Sequence, residues 1–128
     1  MEIVKKFKID GVLLLKTPVY NDKRGSFIES FSKKINLILG QDLRWLQDNE
    51  SFSKKNVFRG LHFQKGINSQ SKLLRVSNGK ILDVLVDLRK DSKTFKKYIT
   101  VKLDSRNLIL FIPKGIAHGF LSLSNNTI

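Results

Sequence analysis

The chain has 128 residues, no cysteine, and 24 Lys plus Arg against 11 Asp plus Glu, a formal net charge of +13. Its length suits one domain with a real core, residues 1–128, and is too short for two; the missing thiols exclude disulfides, thiolate metal sites and cysteine nucleophiles. The basic excess favours anionic partners, but the lysines are scattered in pairs (Lys5-Lys6, Lys33-Lys34, Lys54-Lys55, Lys96-Lys97), as on a solvated surface rather than a nucleic-acid stripe.

Val12 to Val19 is the first predicted strand, closed by Pro18. Its apolar run, Val12-Leu13-Leu14-Leu15, is too short for a signal segment or a membrane span, so a soluble cytoplasmic protein is expected. Asn21-Asp22-Lys23-Arg24-Gly25 has the chemistry of a reversal, and Phe27 and Glu29 follow at period-2 spacing. From about Ser30, Phe31, Ile35 and Ile38 recur at helical spacing and Gly40 supplies the stop, giving the only predicted helix. Leu43 to Ser51 alternates like a strand, with Trp45, Gln47 and Asn49 on one face.

Asn56 to Gln64 is apolar enough to read as a buried strand, and it carries Arg59, Gly60 and His62. Three-residue spacing would put Arg59 and His62 on opposite faces, but a bulge at Gly60 would turn both to one side. A loop from Lys65 to Ser71 leads to Lys72–Ser77 and Lys80–Leu88, which flank Asn78-Gly79 and predict a type I′ hairpin. Asp83 and Asp87 share one face of the second arm, opposite Leu82, Val84 and Val86, and call for cationic partners such as Arg75, Arg89 or Lys72. Tyr98 to Leu103, Asn107 to Ile112 and, after the turn Pro113-Lys114-Gly115, Ala117 to Leu123 complete the strands. Short strands in close succession with one helix describe a β-sandwich or a jelly-roll barrel.

A metal site wants three or four convergent ligands, whereas His62 stands alone in its strand and His118 is the only other histidine, so no metal is expected. No Gly-x-Ser-x-Gly elbow and no Walker or Rossmann phosphate loop is present. What remains is a metal-free base with cationic helpers: His62 takes a proton near neutral pH while Lys72 or Arg59 stabilises an oxyanion. That combination suits proton abstraction next to a carbonyl. For the His62 stretch alone, a core histidine with an arginine at the rim explains the residues equally well.

Six linked stretches carry a more specific signal: Asp22-Lys23-Arg24-Gly25-Ser26-Phe27-Ile28-Glu29, Gln47-Asp48-Asn49-Glu50-Ser51, Arg59-Gly60-Leu61-His62-Phe63-Gln64, Lys72-Leu73-Leu74-Arg75-Val76, Asp83-Val84-Leu85-Val86-Asp87-Leu88-Arg89 and Ile112-Pro113-Lys114-Gly115-Ile116-Ala117-His118-Gly119-Phe120. In order and spacing they resemble the dTDP-4-dehydrorhamnose 3,5-epimerases across nearly the whole chain. The resemblance implies an all-β, cupin-type jelly-roll barrel with one short helix, no metal and no cofactor. It implies epimerisation at C3, C5 or both of a dTDP-4-dehydro-6-deoxyhexose on the way to dTDP-L-rhamnose, in a homodimer without nucleic-acid or membrane partners. It further implies that His62 removes the protons α to the C4 ketone and that Lys72 steadies the enolate oxygen. Arg59 and His118 fall where the family contacts the sugar or diphosphate. Arg24, Glu29, Gln47 and Asn49 fall where it holds the nucleotide, some of them across a dimer interface. Phe27 is read as a stacking partner for base or sugar or, equally well, as an ordinary core phenylalanine, and Asp83 as the carboxylate that orients His62 or His118.

The family chain runs on past the position of Ile128 to a tyrosine that returns a proton from the opposite ring face, an aspartate that pairs with the base, and the last strands. Tyr20 and Tyr98 do not match that tyrosine. The expectation is a partial copy or a short form that exchanges substrate protons better than it inverts carbon, with strand edges left open. A non-catalytic dTDP-sugar-binding remnant and a basic nucleic-acid-binding barrel stay open as alternatives.

Overall fold

In the computed structural model, which describes residues Met1–Ile128, chain order gives β1 (Glu2–Lys6), β2 (Leu13–Lys16), β3 (Tyr20–Asp22), β4 (Gly25–Phe27), α1 (Ile35–Leu39) and β5 (Phe58–His62). A short 3-10 turn at Gly66–Asn68 follows, then β6 (Lys72–Arg75), β7 (Ile81–Asp87), β8 (Tyr98–Leu103), β9 (Leu108–Ile112) and β10 (Ile116–Ser122). Two four-stranded antiparallel sheets form, in the orders β1-β2-β9-β6 and β5-β10-β7-β8, and β3-β4 is a separate hairpin. The result is a nearly all-β sandwich of jelly-roll type with one short helix.

Alternation explains the interior. Strand β7 buries Ile81, Asp83, Leu85 and Asp87 and leaves the residues between them half-buried, as a period of two requires. Ile81 and Leu85 meet Leu110 and Ile112 of β9 and Val101 and Leu103 of β8 in one cluster between the sheets. Strand β9 is apolar at every position because its other face is covered too: Ile109 joins Leu15 and Ile35, with Trp45 packed alongside.

Several expected elements take a different form. The helix is limited to Ile35–Leu39, ending at Gly40 with φ +62° as expected, and Phe31 lies outside it. Its first turn has no acidic residue and its N-cap makes no side-chain bond, so nothing extends it toward Ser30. Leu43 to Ser51 forms no strand, because its backbone pairs with no neighbouring strand. The stretch around His62 is not a buried strand but an exposed edge, paired only with β10. Strand β1, which lacks alternation and is exposed throughout, adds an edge that the sequence does not predict.

The Lys72–Leu88 hairpin does not form. Strand β6 pairs with β9, while β7 pairs with β10 and β8 in the facing sheet. Gly79 has φ +87° but Asn78 does not enter the positive-φ region, so the type I′ geometry is absent. Both arms carry apolar inner faces, and turning a corner buries those faces against each other across the sandwich, which edge-to-edge pairing would not do. The backbone of Asn78 instead meets Ile128, whose N–H donates to the Asn78 carbonyl at 3.0 Å.

Candidate active site

His62 on β5 stands directly opposite His118 on β10. Antiparallel partners share a face, and the two imidazole centroids are 5.4 Å apart with planes inclined at 54°. One step further, Phe120 stands opposite Arg59, so three steps on β5 match two on β10. This is the bulge expected at Gly60, although the Arg59 side chain does not join His62 at the cleft. Two glycines make the bulge possible. A Cβ on Gly60, which has φ +117°, would lie 2.6 Å from the Gly119 Cα, and one on Gly119 would lie 2.7 Å from the Arg59 carbonyl oxygen.

Behind the histidines lies Asp83, fully buried on β7. Its Oδ2 is 3.2 Å from His118 Nδ1, and its Oδ1 has no hydrogen-bond partner. Burial pushes the Asp83 carboxyl above the ordinary carboxylate range, while the His118 hydrogen bond and the charges of both imidazoles pull it back. Asp87, on the same face, is fully satisfied: Arg89 Nε and Nη2 donate to it at 2.9 and 2.8 Å, and the Ser92 and Thr94 hydroxyls at 2.6 Å each.

Lys72 approaches from the opposite sheet. Its register partner is Ile112, a member of the inter-sheet cluster, so Lys72 projects from the same inner face. Partial removal from water pushes its ammonium below the ordinary lysine pKa. Between the sheets is a cleft of about 670 Å³ lined by His62, His118, Lys72, Leu74, Arg75 and the segment from Trp45 to Ser51. That segment is positioned by side chains: Trp45 Nε1 donates to Asn36 Oδ1 at 3.0 Å, and Asn36 Nδ2 donates to the Leu43 carbonyl at 2.8 Å. Gln47 Nε2 donates to Asn49 Oδ1 at 2.9 Å.

The structure thus gathers His62, His118, Lys72, Gln47 and Asn49 around one cleft, with Asp83 behind it. Four other predicted site residues lie elsewhere. The Arg59 guanidinium donates to Ser53 Oγ and the Phe52 carbonyl, both at 3.0 Å. Arg24 pairs with Asp22, and Phe27 packs on Tyr20 with centroids 6.5 Å apart, both in the exposed β3-β4 hairpin. Exposed Glu29 follows that hairpin and contributes its carbonyl to Thr17 Oγ1. Phe31, Trp45, Glu50 and Arg75 also line the cleft; Trp45 is signalled by its alternation with Gln47 and Asn49, Glu50 and Arg75 lie within two of the six linked stretches, and Phe31 carries only its helical spacing. No three of the His, Asp and Glu residues form a metal-binding group. The geometry offers a base and an ammonium facing one cleft, the requirement for abstracting a proton beside a carbonyl.

A family model described as dTDP-4-dehydrorhamnose 3,5-epimerase matches residues 6–128. The chain belongs to the dTDP-4-dehydrorhamnose 3,5-epimerase family. The epimerase of Salmonella typhimurium is 48% identical over 126 residues, which are 97% of this chain and 69% of the relative. That of Methanothermobacter thermautotrophicus is 47% identical over 124 residues, 96% of this chain and 66% of the relative, so the chain spans about two thirds of the length of these relatives. Among solved structures, the Bacillus anthracis epimerase with TDP and PPi bound superposes with a TM-score of 0.91 at 41% identity, covering 98% of this chain and 73% of that one. The Legionella pneumophila epimerase in complex with dTDP-4-keto-L-rhamnose gives 0.88 at 41% identity, covering 94% and 65%. The dTDP-4-dehydrorhamnose 3,5-epimerase family consists of isomerases of dTDP-rhamnose biosynthesis, and the all-β fold seen here is theirs.

Proposed function

We propose that this chain epimerises a dTDP-4-dehydro-6-deoxyhexose by proton abstraction next to its C4 ketone. The observation that carries the proposal is the juxtaposition of His62, paired with His118 across β5 and β10, with Lys72 lining the same cleft from the facing sheet. Neutral His62 takes the C3 or C5 proton, the C–H electron pair moves into the enolate, and the Lys72 ammonium stabilises the negative oxygen at C4. Gln47, Asn49 and His118 hold the sugar nucleotide within the cleft. Arg24, Phe27 and Glu29, in or next to a hairpin outside it, act on the nucleotide of a second copy in a homodimer; Arg59 contacts the diphosphate at the rim. The family and the absence of any helix long and apolar enough to cross a membrane are in keeping with a cytoplasmic enzyme of one domain.

Incubation with dTDP-4-keto-6-deoxyglucose in deuterium oxide tests this: deuterium enters C3, C5 or both, and its absence from a folded sample counts against the proposal. A second reading is sugar-nucleotide binding without catalysis. Calorimetric binding of dTDP with no deuterium incorporation would be its signature.

A further inference from the structure

Lysines that look scattered in the sequence are collected by the fold at one end of the sandwich. Three turns meet there: β1-β2 (residues 7–12), β7-β8 (residues 88–97) and β9-β10 (residues 113–115). Arg89 ties them together, its Nη2 donating to the Asp10 carbonyl at 3.0 Å while its side chain lies so close to Gly115 that a Cβ there would come within 2.5 Å of the Arg89 Cγ. The Leu88 N–H donates to the Gly115 carbonyl at 3.0 Å, and a Cβ on Gly11 would lie 3.2 Å from the Pro113 Cγ. Asp87 holds the long turn in shape: the Ser92 and Thr94 hydroxyls donate to its carboxylate, the Lys96 N–H donates to its carbonyl at 2.7 Å, and its own N–H donates to the Lys97 carbonyl at 3.0 Å. From this frame Lys8, Lys90, Lys93, Lys96, Lys97 and Lys114 all project exposed, and none is in an ion pair. With Arg89 they stand against Asp10, Asp91 and the buried Asp87, a net charge of +4.

We propose that this end of the sandwich is a peripheral docking surface for an anionic lipid bilayer. Its one arginine is turned inward onto Asp87 and the Asp10 carbonyl, so the outward charge is all lysine. Lysines are hydrated point charges that suit a diffuse array of lipid phosphates, whereas nucleic acid is read best through the arginine fork. Exposed aromatic rings stand among them: Phe95, 37% exposed, with Lys96 Nζ 5.3 Å from its centroid, and Tyr98, 70% exposed, at the start of β8. Such rings settle at the boundary between headgroups and acyl chains. None of the six lysines lines the cleft, so the surface is separate from the site described above. The β3-β4 hairpin follows the far end of β2, where Arg106 of the β8-β9 turn donates to Ser26 Oγ; a second copy engaged through that hairpin leaves the basic end open. The contact is peripheral, no helix being long and apolar enough to cross a membrane.

Sedimentation of the intact protein with vesicles of phosphatidylcholine alone, or of phosphatidylcholine and phosphatidylglycerol in equal parts, tests this. Binding is expected to the mixed vesicles only, falling as salt rises and unaffected by saturating dTDP. Reversing three charges together, Lys93→Glu, Lys96→Glu and Lys97→Glu, should weaken it by at least about 10²-fold with the circular dichroism spectrum unchanged. The same change in net charge made at the exposed Lys33, Lys54 and Lys55 should leave most of the binding. Failure of the unmodified protein to sediment with the mixed vesicles would overturn the proposal, whatever the variants do. So would an equal loss in the two triple variants, which would make net charge alone responsible. Binding of an oligothymidine through Lys93, Lys96 and Lys97, with the vesicles left unbound, would overturn it in favour of a nucleic-acid surface.

Discussion

Asp83 and Asp87 lie on one face of β7 and should respond oppositely to removal. Asp87 accepts from the Arg89 backbone N–H at 3.0 Å, from Arg89 Nε and Nη2, and from two hydroxyls, and Arg89 Nη2 also donates to the Asp10 carbonyl at 3.0 Å. Breaking a buried charged pair from one side costs about 3–5 kcal/mol. Arg89 is 29% exposed and regains some water, so Asp87→Ala should cost about 3 kcal/mol, the lower end of that range. For a chain of this size that lowers Tm by roughly 10–15 °C. Asp83→Asn removes a charge that is only half paired, and its effect on stability should stay within about 1 kcal/mol. Urea unfolding followed by fluorescence of the single tryptophan, Trp45, measures both. The pH dependence separates them further. The Asp87 carboxyl is held well below its ordinary value by Arg89, Ser92 and Thr94 against the cost of burial, so its stabilisation is complete above the unfolded pKa of about 3.9 and is lost as pH falls below it. The raised pKa of Asp83 has the opposite sign: stability increases as pH falls from that pKa toward about 3.9, because the native state binds the proton first. Equal loss of stability in both variants would refute the distinction between a structural and a functional carboxylate.

Lys72→Met keeps the packing of the alkyl chain and removes the ammonium; the rate of substrate proton exchange should fall by roughly 10²–10³-fold with KM little changed, and a change confined to KM would count against enolate stabilisation. Gly119→Ala places a Cβ 2.7 Å from the Arg59 carbonyl oxygen, so it should push β5 from β10 and abolish exchange while much of the fold survives, as circular dichroism and dTDP calorimetry would show; full activity would remove the bulge from the account. If the β3-β4 hairpin serves the cleft of a second copy, mixing Arg24→Ala with His62→Asn protein should restore part of the exchange that each lacks alone, and a mixture no more active than its components would exclude that arrangement.

Much of this was legible in the residues. Strand β8 falls on Tyr98–Leu103 as expected, and the alternation of Ile81 to Asp87 correctly places both carboxylates inward. The bulge at Gly60 follows from the odd spacing of Arg59 and His62, and the register bears it out. The partner of Asp87 is among those named, whereas Asp83 meets His118 rather than a lysine or arginine. Misreadings come from local signals overridden by packing. Asn78-Gly79 has hairpin chemistry, but the chain uses it to pass from one sheet to the other. Leu43 to Ser51 alternates like a strand, but its backbone pairs with no neighbouring strand and every residue from Trp45 to Ser51 lines the cleft. The pairing of His62 with His118 joins residues far apart in the chain, and no local periodicity could announce it.

The central claim is that His62 is the Brønsted base. Monitoring solvent deuterium entering dTDP-4-keto-6-deoxyglucose by mass spectrometry, with unmodified protein and His62→Asn compared at matched concentration and verified folding, tests it most directly. The account predicts incorporation by the unmodified chain and a loss of about 10²-fold or more in the variant; undiminished incorporation by His62→Asn would contradict it.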